Sequence, residues 1–345
     1  MVSMEIEQVG DHGSFRRVAG TLRGARRIAA LCHENPDADT LGAALAIGLI
    51  AERLGKEYEV ICADQPAPLY SFLPRFDRIV SEPTGSADVA VICDAATLER
   101  IGPIAATHAA WLAGTTIVNI DHHTTNPGFG DENLVDGTAG ATCEIITALL
   151  PELGVQADAD LATALLAGII RDTNGFADAS TSPRTLRQAA SLLETGAPLG
   201  AIYRTILHEM PYERMKLWGK LLHDLGERHQ GRVVYASLTQ AMLDDTRTEQ
   251  PDADGLAEFI ANARGADVTL LLRELGPAAT RVSIRTSAAV SAAAIAKPFS
   301  GGGHVRRAGC TVPAPLQQAV AQVLDVCDSV LADAPIHDAT VARLS

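Results

Sequence analysis

Aromatic side chains and positive charge are both scarce in this chain of 345 residues. Phe, Trp and Tyr make up only 4% of the residues, which excludes a broad aromatic platform for stacking bases. Lys and Arg number 28 against 42 acidic residues, and the formal net charge is −14. Because capture of long nucleic acid requires a basic surface, we expect no long nucleic acid partner.

Long apolar runs and paired cysteine motifs are also missing. No apolar stretch approaches the roughly 20 residues that span a bilayer, so no membrane partner is expected. The segment 1–15 is polar and acidic, unlike a signal peptide. The cysteines form no CxxC pair, which favours reduced, buried thiols and a cytoplasmic protein. They are Cys32, Cys62, Cys93, Cys143, Cys310 and Cys327.

The first half of the chain alternates buried-strand patterns with helical patterns. Apolar strands separated by helices are typical of an α/β fold with a doubly wound, mostly parallel sheet. The predicted strands cover 27–32, 57–62, 88–93 and 115–120. The predicted helices cover 14–26, 41–54, 137–150, 160–170, 186–193 and 201–225.

A second, smaller α/β domain is predicted after a helical connector. We place the first domain at 1–185, the connector at 186–228 and the second domain at 229–345. Seven basic residues and two acidic ones lie between positions 264 and 307, a net charge of +5 in an acidic chain. The second domain has predicted strands at 233–238, 268–273 and 281–285 and helices at 254–263, 291–296 and 315–331.

Acidic residues and histidines cluster where the predicted strands end. His33, Asp37 and Asp39 lie in the turn after the first strand, and we expect Asp39 to cap the helix that follows. Asp94 follows the third strand, and Asp121-His122-His123 follows the fourth. Because the carboxyl ends of parallel strands meet at one sheet edge, these side chains are expected to converge. The alternative is an acidic, solvent-facing helix cap.

Asp172 joins this group at the end of the helix predicted over 160–170, unless it is only a polar helix end. Carboxylates and imidazoles without thiolates suit Mn²⁺, with Mg²⁺ or Fe²⁺ as alternatives. Four aspartates around one cleft would repel each other strongly without cations. Two divalent ions could neutralise them, activate a water and bind the oxygens of a phosphoryl group.

A glycine-rich loop carries the second candidate site. Gly301, Gly302 and Gly303 allow backbone N–H groups to approach a phosphate, and His304 follows directly. Arg306 and Arg285 could supply positive charge. The alternative is a flexible surface turn. Gly137-x-x-Gly140-x-Thr142 is only a weak match to a dinucleotide-binding loop, because no strand comes immediately before it.

These motifs, in this order, resemble those of the DHH/DHHA1 phosphoesterases. The resemblance spans residues 25–312 and is strongest to the branch of nanoRNases and 3′-phosphoadenosine-5′-phosphate phosphatases, which includes actinobacterial enzymes acting on cyclic dinucleotides. It implies one metal held by His33, Asp37 and Asp94, and a second held by Asp39, Asp94, His122 and Asp172. It also implies that Asp121 orients a neighbouring group and that His123 faces the scissile phosphate.

The resemblance implies a homodimeric two-metal enzyme that hydrolyses short nucleotides to mononucleotides. Candidate substrates are nanoRNA, pApA, cyclic di-AMP and 3′-phosphoadenosine-5′-phosphate. Two alternatives remain: a manganese pyrophosphatase-like enzyme, and a cyclic-dinucleotide receptor that does not hydrolyse its ligand. Three positions depart from the family pattern: Ala38, Ala43 and Arg307.

Overall fold

A computed structural model describes residues 12–332, so most of the segment 1–15 lies outside the described residues. The chain divides into two compact units between Glu209 and Met210. The predicted connector over 186–228 is therefore shared between the two units.

Six strands of the first unit form one sheet in which all neighbours are parallel. The strands are β1 (Arg27–Leu31), β2 (Glu57–Ile61), β3 (Ile79–Val80), β4 (Val89–Cys93), β5 (Thr116–Asp121) and β6 (Glu132–Val135). Their spatial order is β3-β2-β1-β4-β5-β6, so the order reverses between β1 and β4. The predicted doubly wound sheet is confirmed, and the short edge strands β3 and β6 were not predicted.

The helices of the first unit cover both faces of this sheet. They are α1 (His12–Gly24), α2 (Ala38–Arg53), α3 (Ile104–Thr107), α4 (Ala109–Ala113), α5 (Thr142–Leu153), α6 (Ala159–Asp172), α7 (Pro183–Glu194) and α8 (Leu199–Tyr203). Alternate residues of β1 enter opposite cores: Ile28 and Ala30 pack with α1, α2, α5 and α6, whereas Ala29 and Leu31 pack with α3 and α4. Strands buried on both faces explain the continuous apolar runs in the sequence.

The N-cap of helix α2 differs from the predicted one. Asp37, not Asp39, is the N-cap: its Oδ1 accepts hydrogen bonds from the N–H groups of Asp39 (3.0 Å) and Thr40 (3.3 Å). Pro36 precedes this cap and biases Asn35 away from helical geometry. The carboxylate of Asp39, in the first turn, is therefore available for other contacts.

Two other predicted helices differ from the structure. The helix predicted over 137–150 begins only at Thr142, because residues 136–141 form a loop. The helix predicted over 201–225 is interrupted: α8 continues as a π-helical turn, Arg204–His208, and a new helix begins after Pro211. Proline lacks an N–H and restricts the residue before it, which explains the interruption.

The second unit has its own six-stranded mixed sheet in the order β11-β12-β10-β9-β8-β7. Its strands are β7 (Gly226–Arg228), β8 (Val233–Leu238), β9 (Val268–Gly276), β10 (Ala279–Thr286), β11 (Gly302–Gly303) and β12 (Arg307–Val312). Only β8 and β9 pair in parallel. The helices are α9 (Tyr212–His223), α10 (Gln240–Thr246), α11 (Leu256–Ile260), α12 (Ala292–Ala296) and α13 (Leu316–Ala332).

All six cysteines are buried and free, as predicted. Among residues 12–332, no helix has the length and apolar character that crossing a membrane requires.

Helices α2, α5 and α6 meet closely at Gly168. A Cβ atom at this position would lie 2.4 Å from Asp39 Oδ1 and 2.4 Å from Cys143 Sγ. We predict that Gly168→Ala lowers the free energy of unfolding by about 1–3 kcal/mol, although alanine has the higher helix propensity. Urea unfolding followed by Trp111 fluorescence in a Trp218→Phe background measures the first unit alone, since these are the chain's two tryptophans.

Gly20→Ala is the matched control, because a Cβ atom at this position in α1 meets nothing within 4 Å. It should leave stability unchanged or raise it by up to about 1 kcal/mol. Equal unfolding midpoints for Gly168→Ala and the parent protein would show that the close packing of α2, α5 and α6 does not require glycine at position 168.

Candidate metal centre

The candidate site lies at the carboxyl ends of three adjacent strands. His33 is two residues beyond β1, Asp94 directly follows β4, and Asp121 is the last residue of β5. Strands β1 and β4 flank the point where the strand order reverses. In open α/β sheets this point forms a crevice in which ligands bind.

Asp94 is the common member of the site. Its Oδ2 lies 3.4 Å from His33 Nε2, and its Oδ1 lies 3.4 Å from His122 Nε2. Thr142 Oγ1 also donates to Oδ1, at 3.1 Å. The backbone of Asp94 is left-handed, with a φ of +60°, which is uncommon for a residue other than glycine. This turn follows β4 directly.

The six predicted metal ligands lie together in two groups that share Asp94. Within each group, the possible ligand atoms lie within 4.8 Å of one another. One group contains His33, Asp37 and Asp94, and the other contains Asp39, Asp94, His122 and Asp172. The arrangement offers two neighbouring positions for cations, with one carboxylate between them.

Backbone carbonyls orient both candidate histidine ligands. His33 Nδ1–H donates to the carbonyl of Glu34 at 2.7 Å, and His122 Nδ1–H donates to the carbonyl of Ala139 at 3.3 Å. The Nε2 atom of each ring therefore points at carboxylates: His122 Nε2 also lies 3.1 Å from Asp172 Oδ2. A hydrogen bond at one ring nitrogen leaves the other to bind a metal.

Asp39 is fully buried against the N-terminus of α5. Its Oδ2 accepts from the N–H of Thr142 at 2.7 Å, and its Oδ1 accepts from the N–H of Cys143 at 3.0 Å. The positive end of a helix dipole stabilises this carboxylate. The contact of Asp39 with Thr142 and Cys143 was not predicted, because it joins positions more than 100 residues apart. The first turn of α5 therefore binds the carboxylate of Asp39 rather than a nucleotide phosphate.

Burial and mutual repulsion raise the pKa of Asp37 and Asp39, whereas hydrogen bonds from His122 and His33 hold the pKa of the buried Asp94 below its usual value. Burial, followed by the charges of Asp94 and Asp172, raises the pKa of Asp39 well above its usual value, and Asp37 shifts in the same direction. Burial alone would lower the pKa of His122, but hydrogen bonds with Asp172 and Asp94 raise it to about 12. Oxygen and imidazole donors under this mutual repulsion fit divalent cations.

His123 lies beside His122, with its Nδ1 3.7 Å from Asp94 Oδ1, but its closest partner is a different aspartate. Its Nδ1 lies 2.7 Å from Asp121 Oδ1, and its side chain is 47% exposed. Asp121 is fully buried, and its Oδ2 accepts from Asn126 Nδ2 at 2.6 Å. Asn126 in turn donates to Asn119 Oδ1 at 2.7 Å. Because Asp121 engages Nδ1, Nε2 is the ring nitrogen that can reach a substrate. Asn119 and Asn126 were not predicted.

In the second unit, Gly301 and Gly303 have structural reasons to be glycine. A Cβ atom at Gly301 would lie 2.4 Å from Cys310 Cβ, and one at Gly303 would lie 2.4 Å from the carbonyl oxygen of Arg307. Gly303 also has a φ of +144°. A Cβ atom at Gly302 would meet nothing within 4 Å, so the fold itself does not require glycine there.

The cationic side chains near this loop have partners in the second unit. Arg285 Nε donates to Glu258 Oε1 at 3.0 Å, and the Arg285 side chain is only 17% exposed. Arg306 donates to the carbonyl of Ser287. His304 and Arg307 are exposed. The predicted substrate clamp Arg285 is therefore already paired with a carboxylate.

Family comparisons agree with the two units. The DHH family N-terminal domain matches residues 27–169, and the DHHA1 domain matches residues 230–333. The chain is 34% identical to the bifunctional oligoribonuclease and PAP phosphatase NrnA of Thermus thermophilus, over 90% of this chain and 92% of that protein. It is 25% identical to NrnA of Bacillus subtilis, over 81% and 87% respectively.

A solved structure shares the fold. An exopolyphosphatase-related protein from Bacteroides fragilis matches with a TM-score of 0.82 and 20% identity, over 94% of this chain and 98% of that one. The chain belongs to the DHH family of phosphoesterases, which use divalent metals, and carries a DHHA1 domain.

Proposed function

We propose that this chain is a two-metal phosphoesterase that hydrolyses short nucleotide substrates to mononucleotides. The observation that carries the proposal is the pair of donor groups that share Asp94 at the strand-order reversal. Similarity to oligoribonuclease and PAP phosphatase relatives supports short RNA and 3′-phosphoadenosine-5′-phosphate as substrates. The dinucleotide pApA is a candidate from the resemblance of the motifs. Cyclic di-AMP is a further candidate from the resemblance of the motifs.

His33, Asp37 and Asp94 would hold one cation, and Asp39, Asp94, His122 and Asp172 the other. Such ions would supply Lewis acidity toward a phosphoryl oxygen and would lower the pKa of a water, so that hydroxide is available near neutral pH. We propose Mn²⁺, because the donor set mixes imidazole with carboxylate and contains no thiolate.

Asp121 and His123 would act beside the ions. Asp121 fixes the ring of His123 through Nδ1, and Asn126 fixes Asp121. The half-exposed ring can then donate a hydrogen bond or a proton from Nε2 to the leaving oxygen. Asp121 does not touch the substrate in this scheme and is a positioning residue.

In the second unit, the loop over 301–303 with His304 and Arg306 would bind the substrate, and Arg285 would do so by exchanging Glu258 for a phosphate oxygen. Gly302 is the position at which a close ligand approach best explains the residue type. The resemblance further implies a homodimer and a cytoplasmic location. Light scattering on the purified protein measures its oligomeric state.

The proposed function predicts a specific order of substrates. With Mn²⁺, release of mononucleotides from pApA, short RNA and 3′-phosphoadenosine-5′-phosphate should exceed hydrolysis of inorganic pyrophosphate. Product analysis with Mn²⁺, Mg²⁺ and Fe²⁺ in parallel measures this. Asp94→Ala, which removes the shared carboxylate, is the inactive control for contaminating nucleases.

Two results would contradict the proposal. Faster turnover of pyrophosphate would favour a pyrophosphatase-like enzyme. Intact cyclic di-AMP and uncut pApA after long incubation with Mn²⁺ would favour a receptor that does not hydrolyse its ligand.

His123→Ala should lower kcat by a factor of about 10² to 10⁴, because it removes the donor to the leaving oxygen. Its melting temperature should fall only slightly, because the ring is half-exposed and the buried Asp121 keeps its hydrogen bond from Asn126. His223→Ala is the matched control, at a histidine whose side chain is 87% exposed in the second unit. A kcat near the wild-type value for His123→Ala would refute the assigned role.

Gly302→Ala should raise KM at least about tenfold, equivalent to about 1.4 kcal/mol, because a methyl group blocks close approach of the substrate. Its melting temperature should stay the same, since the added Cβ meets no protein atom within 4 Å. Gly219→Ala, which is equally unobstructed in α9, is the control. An unchanged KM for Gly302→Ala would remove this loop position from the substrate site.

A further inference from the structure

A buried ion network lies beside the metal centre and contains none of its candidate ligands. Arg184, near the start of α7, donates through Nε to Glu144 Oε1 at 2.5 Å and through Nη1 to Asp136 Oδ2 at 3.0 Å. All three side chains are at least nine-tenths buried. A guanidinium group that binds two carboxylates through separate nitrogens fixes their geometry as well as their charge.

The two carboxylates hold the loop over 136–141 at both of its ends. Asp136 Oδ1 accepts from the N–H of Thr138 at 2.9 Å and from its hydroxyl at 2.6 Å. Glu144 Oε2 accepts from the N–H of Gly140 at 2.9 Å and from the hydroxyl of Thr185 at 2.8 Å. The conformation of the loop therefore depends on where Arg184 places these carboxylates.

The same loop orients one of the two donor groups. The carbonyl of Ala139 accepts from His122 Nδ1–H and thereby directs Nε2 to Asp94 and Asp172. The loop ends where α5 begins, at Thr142 and Cys143, whose N–H groups bind Asp39. Two members of the group Asp39, Asp94, His122 and Asp172 are thus fixed by backbone atoms of this loop or its end.

Apart from the shared Asp94, to which Thr142 donates, the other donor group has separate supports. His33 is oriented by the carbonyl of Glu34, and Asp37 is held as the N-cap of α2. Neither contact involves the loop over 136–141. A disturbance of that loop should therefore affect the two cation positions unequally.

We infer that Arg184 is a positioning residue that sets the affinity of one cation position, the one formed by Asp39, Asp94, His122 and Asp172. This inference rests on the proposed two-metal function. Arg184 acts through Glu144, Asp136 and the loop, and touches neither the ions nor the substrate. The direct hydrogen-bond partners of metal ligands typically change metal affinity by about 10–100-fold when they are altered, and Arg184 holds the loop that carries one such partner, the carbonyl of Ala139.

Arg184→Lys is the test variant. Lysine keeps the positive charge, but its single ammonium nitrogen cannot bind both carboxylates in the geometry of the two guanidinium nitrogens. Arg184→Ala is unsuitable, because it would leave two buried carboxylates unpaired and could unfold the protein. Arg16→Lys, at an arginine that is 75% exposed in α1, is the matched control.

Calorimetric titration of the full, metal-free chain with Mn²⁺ provides the main readout. We expect two binding steps in the wild type and in Arg16→Lys. In Arg184→Lys one step should keep its Kd while the other weakens by about 10–100-fold. The electron paramagnetic resonance spectrum should then change from a coupled Mn²⁺ pair to a single ion at concentrations that fill both wild-type positions.

The outcomes separate this inference from the proposed function. If the wild type does not bind two ions, the proposed function fails. If the wild type binds two ions, either of two results for Arg184→Lys would overturn the inference. The variant could bind both ions with unchanged Kd, or it could bind both equally more weakly while its melting temperature falls. In either case Arg184 supports only the fold. If Arg184→Lys does not fold, Asp136→Asn replaces it, because asparagine keeps the size of the side chain and one carbonyl oxygen. This variant must then show the same selective loss of Mn²⁺ affinity at one position.

Discussion

Mutual repulsion among four aspartates at one sheet edge is the constraint on which the first unit depends. Asp39 and Asp94 are almost completely buried, and Asp37 and Asp172 lie close enough to raise the pKa of Asp39. The fold offsets part of this repulsion with the N-terminus of α5 and with His33 and His122. Divalent cations are the chemical species that would offset the remainder.

The topology explains why these residues meet. In a parallel sheet, the residues that follow the strands all lie at the same edge. The reversal of strand order between β1 and β4 leaves a crevice at that edge. The left-handed turn at Asp94 follows β4 without an intervening loop residue. Aspartate tolerates this conformation better than most residues, and such backbone geometry is commonly retained at functional positions.

The sequence was informative where structure and chemistry are local. Four central strands were predicted to within one residue at each end, because their apolar runs are continuous. The prediction of Asp39 as the cap of α2 is wrong, because the spacing alone suits either aspartate and the structure places Asp37 there. Arg184 reaches Glu144 and Asp136 across 40 and 48 positions, and no local pattern encodes such a contact.

In the second unit, the net charge of the basic segment overstates the positive charge that is free to bind a ligand. Between positions 264 and 307 the net charge is +5, yet Arg273 and Arg285 bind Asp254 and Glu258, which lie just before that window. Including them lowers the net charge to +3. Two of the three loop glycines are likewise explained by packing within the hairpin of β11 and β12. Gly302, His304 and the exposed Arg306 and Arg307 therefore support phosphate binding better than the basic composition of the segment does.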